Sequence, residues 1–206
     1  MADDKTRPKP TSRDRVLDAA ERLLAEERAA FSMRDLADAA GVSFATPFNQ
    51  FGSKAAIMFA LSARRIALMQ KKFAQAARPD TAMHRVLLAV DIAASVMLSA
   101  PAVNRAVMAA LGAPSDELGN VSSRSAALWA EALGDGSGLL PATRPLALTV
   151  LPSQLAVAFR GVLSFWTVGE IPDRLLKTRA RAAAATVLLG FVGRQDRGHL
   201  IGILGR

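Results

Sequence analysis

Between Ser32 and Lys54 the segment SMRDLADAAGVSFATPFNQFGSK places helix-capping serines and a glycine turn within 23 residues. Stops that close together confine the chain to short helices set at an angle to one another. Ser32 is suited to cap the first, with Asp35 three residues on in a capping-box arrangement. Gly41 supplies the turn, where a left-handed backbone costs a glycine least. Ser53, after Gly52, is suited to cap a further long helix. Two short helices joined this way form a helix-turn-helix, whose second helix enters the DNA major groove.

The rest of the chain reads as helix too. Ala, Leu and Val dominate a composition that is 51% hydrophobic and only 5% aromatic, without Tyr. Runs of alternating β-branched residues are missing, so the fold class is all-α. A first helix, capped by Ser12 or Thr11 and ending near Arg28, carries Val16, Leu17, Ala20, Leu23 and Leu24 on one stripe. The second turns Met33, Leu36, Ala37 and Ala40 inward, and the fourth runs from Ser53 to about Ala77. Further helices are expected at 81–99, 102–112, 115–133, 144–168 and 173–193, separated by proline- and glycine-bearing breaks. Pro152 is expected to kink or split the 144–168 segment. Residues 1–11 read as a disordered arm, 12–72 as a three-helix helix-turn-helix head, and 73–206 as a helical ligand-binding and dimerisation domain. The final GHLIGILGR carries no functional reading.

Several classes are excluded by composition. Without Cys there is neither a disulfide framework nor a thiolate metal site. His84 and His199 have no HExxH-type neighbours, and there is no nucleophile elbow, phosphate loop or carboxylate–His cluster. No enzyme activity, cofactor or metal is expected. The longest uncharged runs, Ala39–Ser53 and Pro145–Phe159, are 15 residues each, short of the roughly 20 a membrane span needs. The N-terminus lacks an apolar signal core, and a soluble, cytoplasmic protein is expected. The net charge of +8 does not point at the head, because residues 1–60 hold nine Lys/Arg and nine Asp/Glu.

Within the head, Leu36, Ala37, Ala40, Val42 and Phe51 supply a core against Leu17, Ala20 and Leu24. Ser43 and Ala45 are small enough for close backbone approach to phosphate. Thr46, Asn49 and Gln50 are suited to base edges or phosphates, Asn and Gln pairing bidentately with adenine. Phe44 is read either as a contact to a thymine methyl or as an incidental surface residue. Arg34 is read either as a DNA contact or as a solvated helix charge. The arm residues Lys5, Arg7 and Lys9 could track the backbone or the minor groove.

Ser32, Met33, Leu36, Ala37, Ala40, Gly41, Val42, Ser43, Ala45, Thr46, Phe51, Ser53 and Lys54 follow one pattern, and on it the chain resembles TetR-family transcriptional regulators. The resemblance implies a DNA-binding regulator contacting its site through Ser32, Arg34, Ser43–Thr46, Phe48–Gln50 and Lys54. Two positions depart from the pattern. Phe48 stands where the family usually has Tyr, and Gln50 where it often has His. Phe48 has no hydroxyl for phosphate, which leaves Gln50, Thr46 and Lys54 to position the helix. Pro47 leaves two starts open for that helix. With Ser43 as cap it falls at the fourth helical position; with Thr46 as cap it falls at the favoured first. The family's arrangement points to Ser43.

The C-terminal part resembles the family more loosely, through its last two long helices. The implied partners are a double-stranded (pseudo)palindromic operator, a small and mostly apolar effector, and a second copy of the chain. The copies would pair through helices 144–168 and 173–193, and the stripe Leu175, Leu176, Ala183, Val187, Leu188 and Phe191 either forms that interface or packs within the chain. Met69, Phe73, Met97, Met108, Trp129, Phe159 and Trp166 are pocket candidates, each of which could equally be ordinary core. Asp91 and Arg160 interrupt apolar runs, and would pair with each other, meet a polar ligand group or face solvent. The resemblance implies a repressor released by its effector. An activator without an inducer, or a hydrophobe-binding helical module without DNA activity, are the alternatives.

Overall fold

The computed structural model describes residues 10–26, 31–113 and 120–205. Within these residues the chain forms α1 (Ser12–Ala25), α2 (Met33–Ala40), α3 (Ala45–Phe51), α4 (Lys54–Gln75), α5 (Ala82–Leu98), α6 (Pro101–Gly112), α7 (Val121–Leu133), α8 (Arg144–Thr167), α9 (Asp173–Leu188) and α10 (Arg194–Leu204). The architecture is all-α, a helix-turn-helix head on a helical body.

Local chemistry sets the helix ends. Thr11, rather than Ser12, caps α1 and closes a capping box with Asp14. Ser32 Oγ accepts from the Asp35 amide at 3.1 Å, while the Ser32 amide donates to Asp35 Oδ2 at 2.8 Å. Each such box satisfies two amides that the first helical turn would otherwise leave unpaired. Ser53 caps α4 by accepting from the Ala56 amide. Between α5 and α6 the chain bends by 102°, with Pro101 opening α6. The buried Asn104 holds that corner, donating to the carbonyls of Val96 and Met97 at 3.2 and 2.8 Å. Those carbonyls lie in the last turn of α5, where the helix has no amide of its own left to donate to them.

Two apolar cores result. The head core holds Val16, Leu17, Ala20, Leu24, Leu36 and Ile57, and it takes in Val103 and Val107 from α6. The larger body core gathers α5, α7, α8 and α9 around Trp129 and Trp166. Head and body therefore share α4 and α6. Arg64 and Arg65 of α4 reinforce the join: Arg64 meets Asp18 at 2.6 Å and Arg65 meets Glu21 at 3.3 Å, both on α1.

Three elements differ from the sequence expectation. α8 is not split at Pro152 but continues through it to Thr167. The C-terminal tail, to which the sequence reading assigns no element, forms α10, which packs on α9 and buries Leu200. α9 stops at Leu188, so that the turn after it can bring the Phe191 carbonyl to the Leu140 amide at 2.9 Å. Residues 1–9, most of the expected arm with Lys5, Arg7 and Lys9, lie outside the described residues, as do 27–30 and 114–119.

Candidate DNA-reading head and body cavity

Three arginines of α1 hold the helix-turn-helix. Arg15 Nε and Nη2 donate to the Ala40 carbonyl at 3.2 and 2.9 Å, and Nη2 also reaches the Gly41 carbonyl. Arg22 donates to the Ala39 carbonyl at 2.8 Å. These carbonyls close α2, where a helix runs out of its own donors. Gly41 turns the chain at φ 61°, in the left-handed region that glycine enters without a Cβ clash. Arg13 completes the clamp, donating to the Gln50 carbonyl at 3.2 Å and lying 4.3 Å over the Phe51 ring.

The recognition helix starts at neither of the expected caps. Phe44 takes the cap position, already with helical backbone, and Pro47 becomes the third helical residue. An amide there has no acceptor within the helix, so proline forfeits no hydrogen bond. The Ser43 carbonyl accepts from the Thr46 amide at 2.9 Å instead. Ser43 Oγ and Thr46 Oγ1 lie 2.8 Å apart and fix each other's direction. The Pro47 ring is buried beneath the helix.

Ser43, Ala45 and Asn49 are exposed on this helix and its lead-in, with Thr46 half-buried. Phe44 and Phe48 stand outward, 53% and 45% exposed, in an edge-to-face pair with centroids 5.8 Å apart. Arg34 of α2 lies 5.4 Å over the Phe44 ring. Gln50 is turned the other way, donating from Nε2 to Ser12 Oγ at 2.6 Å. Lys54 donates to the Phe31 carbonyl at 3.0 Å and lies 4.2 Å over that ring, and burial lowers the ammonium's pKa.

A cavity of about 410 Å³ opens among α4, α6, α7 and α8. Met69, Met97, Met108, Trp129 and Phe159 form its apolar wall, the two rings meeting edge to face at 5.5 Å. Arg65 reaches the wall with both ends engaged, its Nε donating to Asn104 Oδ1 at 2.8 Å and its Nη2 on Glu21. Ser125 accepts from the Trp129 indole at 3.2 Å. Arg160 differs. Among the described residues its one hydrogen bond is from Nη1 to the Met108 thioether at 3.3 Å, and burial lowers its pKa. No carboxylate among the described residues lies within ion-pair distance of it.

Residues 16–61 match the family model described as "Bacterial regulatory proteins, tetR family". The head of this chain carries the helix-turn-helix of that family. A TetR transcriptional regulator from Rhodococcus sp. RHA1 is similar in structure, with a TM-score of 0.67 at 21% identity, over 86% of this chain and 95% of that one. A TetR transcriptional regulator from Agrobacterium tumefaciens gives a TM-score of 0.46 at 20% identity, over 95% of this chain and 99% of that one. No curated protein matches the chain in sequence.

Within this fold, the sequence-predicted residues separate into groups. Met69, Met97, Met108, Trp129, Phe159 and Arg160 come together at the cavity. Phe73 and Trp166 do not reach it, being fully buried in the body core. Trp166 donates its indole N–H to Asp173 at 2.8 Å. Asp91 does not reach it either, nor does it meet Arg160: its carboxylate pairs with Arg181 at 2.7 Å and Lys177 at 3.7 Å, both on α9. Sequence reasoning missed the clamping arginines of α1, and it missed Arg65 and Asn104. The α1 arginines follow an i, i+2, i+9 spacing that looks like ordinary surface charge. Asn104 alone left a trace, as a lone amide in the apolar run PAVNRAVMAAL.

Proposed function

We propose that this chain is a TetR-family DNA-binding regulator, a homodimeric repressor that reads a (pseudo)palindromic operator and is released by a small, mostly apolar effector. The observation that carries the reading is the clamped recognition helix, which presents Ser43, Ala45 and Asn49 outward on a rigid three-helix head. Fixed geometry is what direct base readout requires, since a bidentate amide–adenine pair tolerates little displacement. Thr46 and Asn49 read bases. Arg34, Ser32, Lys54 and Gln50 act around them as positioning groups.

Pairing of two copies is supported by α8. Leu146, Val157, Gly161, Phe165 and Val168 share one helix face, and Val157 and Val168 are 64% and 69% exposed. This is why α8 is long and apolar enough to cross a membrane by composition, yet only 33% of that apolar window is buried within the chain. An apolar stripe of this kind marks an interaction surface. In α9, Leu176 and Leu188 pack inside the chain, while Leu175, Ala183 and Val187 are half-buried, as is Phe191 in the turn beyond the helix. A two-fold pair sets the recognition helices about 34–36 Å apart, one helical turn of DNA.

The cavity supports the effector part. Its walls α4 and α6 also build the head core, with Val107 present in both. A ligand wedged between them acts on the head's foundation. Selection of bound sequences from a random duplex pool with the purified protein tests the reading. An inverted repeat with half-sites about one helical turn apart is expected. Recovery of single half-sites would refute dimeric reading, and recovery of no sequence would refute the regulator.

A further inference from the structure

The contents of the cavity wall specify more than apolar character. Three of its polar groups already have partners: Arg65 with Asn104 and Glu21, Asn104 also with two backbone carbonyls, and Ser125 with the Trp129 indole. Of the two charged groups in the wall, Arg160 is the one without an ion pair among the described residues. It enters from α8 beside Phe159 and faces Met108, and among the described residues its one acceptor is a thioether sulfur. Sulfur is a weak acceptor, whereas a guanidinium offers five N–H donors in a planar fork matched to an oxyanion. A half-buried guanidinium left with a single thioether is costly to hold unless something supplies the missing charge. The burial that depresses its pKa also sharpens its attraction for an anion.

From this geometry we infer that the cavity takes an amphipathic organic anion, a carboxylate on an aromatic or aliphatic body, with the carboxylate on Arg160 and the body against Met69, Met97, Trp129 and Phe159. The inference rests on the reading of the cavity as the effector site and adds the ligand's charge to it. Arg65 is not the anchor, because both its carboxamide and its carboxylate partners would have to be given up. Arg160 exchanges only a sulfur contact for a bidentate pair. The methionines adapt to the shape of the body, so the charge is the discriminating feature.

The test uses the full-length protein and a series of ω-phenylalkanoates from phenylacetate to 6-phenylhexanoate, each measured by calorimetry beside the alcohol of equal length. The best carboxylate is expected to bind at least about tenfold more tightly than its alcohol, the ratio a charge-assisted hydrogen bond supplies. Arg160→Gln should abolish that preference while leaving alcohol binding intact, and Arg160→Lys should restore part of it. Retained alcohol binding shows that the glutamine variant is folded. If every carboxylate binds no better than its alcohol, or Arg160→Gln leaves the preference in place, the anion inference is overturned while the cavity remains an apolar effector site. If neither series binds, the inference and the effector reading fail together.

Discussion

On the proposed function, single residues of the head divide into those that read DNA and those that hold the reader in place, and the two kinds give different mutational signatures. Asn49 is exposed on the recognition helix, whereas the Gln50 amide is spent on Ser12. Asn49→Ala is therefore expected to change the base preferred at one position of the selected site. Gln50→Ala should weaken all sites alike, and repeating the pool selection with each variant distinguishes the two. Gly41→Ala should lower stability by about 1–2 kcal/mol in chemical denaturation, because a left-handed backbone is forced on a residue with a Cβ. That Cβ would also stand 3.2 Å from the Arg15 guanidinium that closes α2. The glycine and the Ser32–Asp35 pair were legible in the sequence because their chemistry is complete within a few residues. The arginine clamps were not. Arg15 and Arg13 serve carbonyls 25 and 37 positions away, and a backbone acceptor has no signature in the side-chain alphabet.

Among the elements, α3 shows how a residue hostile to helices becomes harmless by register. At the third helical position Pro47 takes no hydrogen bond from the helix, and its ring is buried. Pro47→Ala should thus leave thermal stability unchanged or lower it by up to about 1 kcal/mol, through a looser unfolded chain. A proline in a helix interior would give the opposite sign, a gain near 3 kcal/mol on replacement. Sequence alone left the start of α3 open because cap position depends on backbone angles at Phe44, which no capping side chain announces. The start of α1 carries its own pH dependence. Hydrogen bonds from Thr11, followed by the Arg64 charge, hold the Asp14 carboxyl below its usual 3.8. A depressed folded pKa contributes stability in full above the unfolded value, and that contribution disappears as pH falls through the folded one. Denaturation midpoints should accordingly be flat with respect to Asp14 from pH 8 to about 5 and decline below about 4. In Asp14→Asn that part of the acid decline should be absent.

At the scale of the whole molecule, the division into head and body was readable from the motif, but the join was not. α6 belongs to both cores, through Val103 and Val107 on one side and Met108 on the other. Long-range packing of that kind follows from the 102° bend at Pro101, which composition marks only as a break. Asp91 is another case, its counter-charges lying on α9 rather than at Arg160. The exposed stripe of α8 makes assembly testable: Val157→Glu should convert a dimer to a monomer in light scattering. It should leave helicity unchanged and weaken binding to an inverted repeat far more than to a half-site. One dimension of α4 sets the scale of any signal between the two ends. Lys54 and Met69 are about 22 Å apart along the axis at 1.5 Å per residue. A tilt of roughly 5° pivoting at the methionine therefore sweeps the head end through about 2 Å, enough to take a hydrogen bond outside its working range of about 2.7–3.2 Å. On the proposed function the helix is a lever arm, and a ligand need shift its far end only slightly for the reading heads to lose register with the groove.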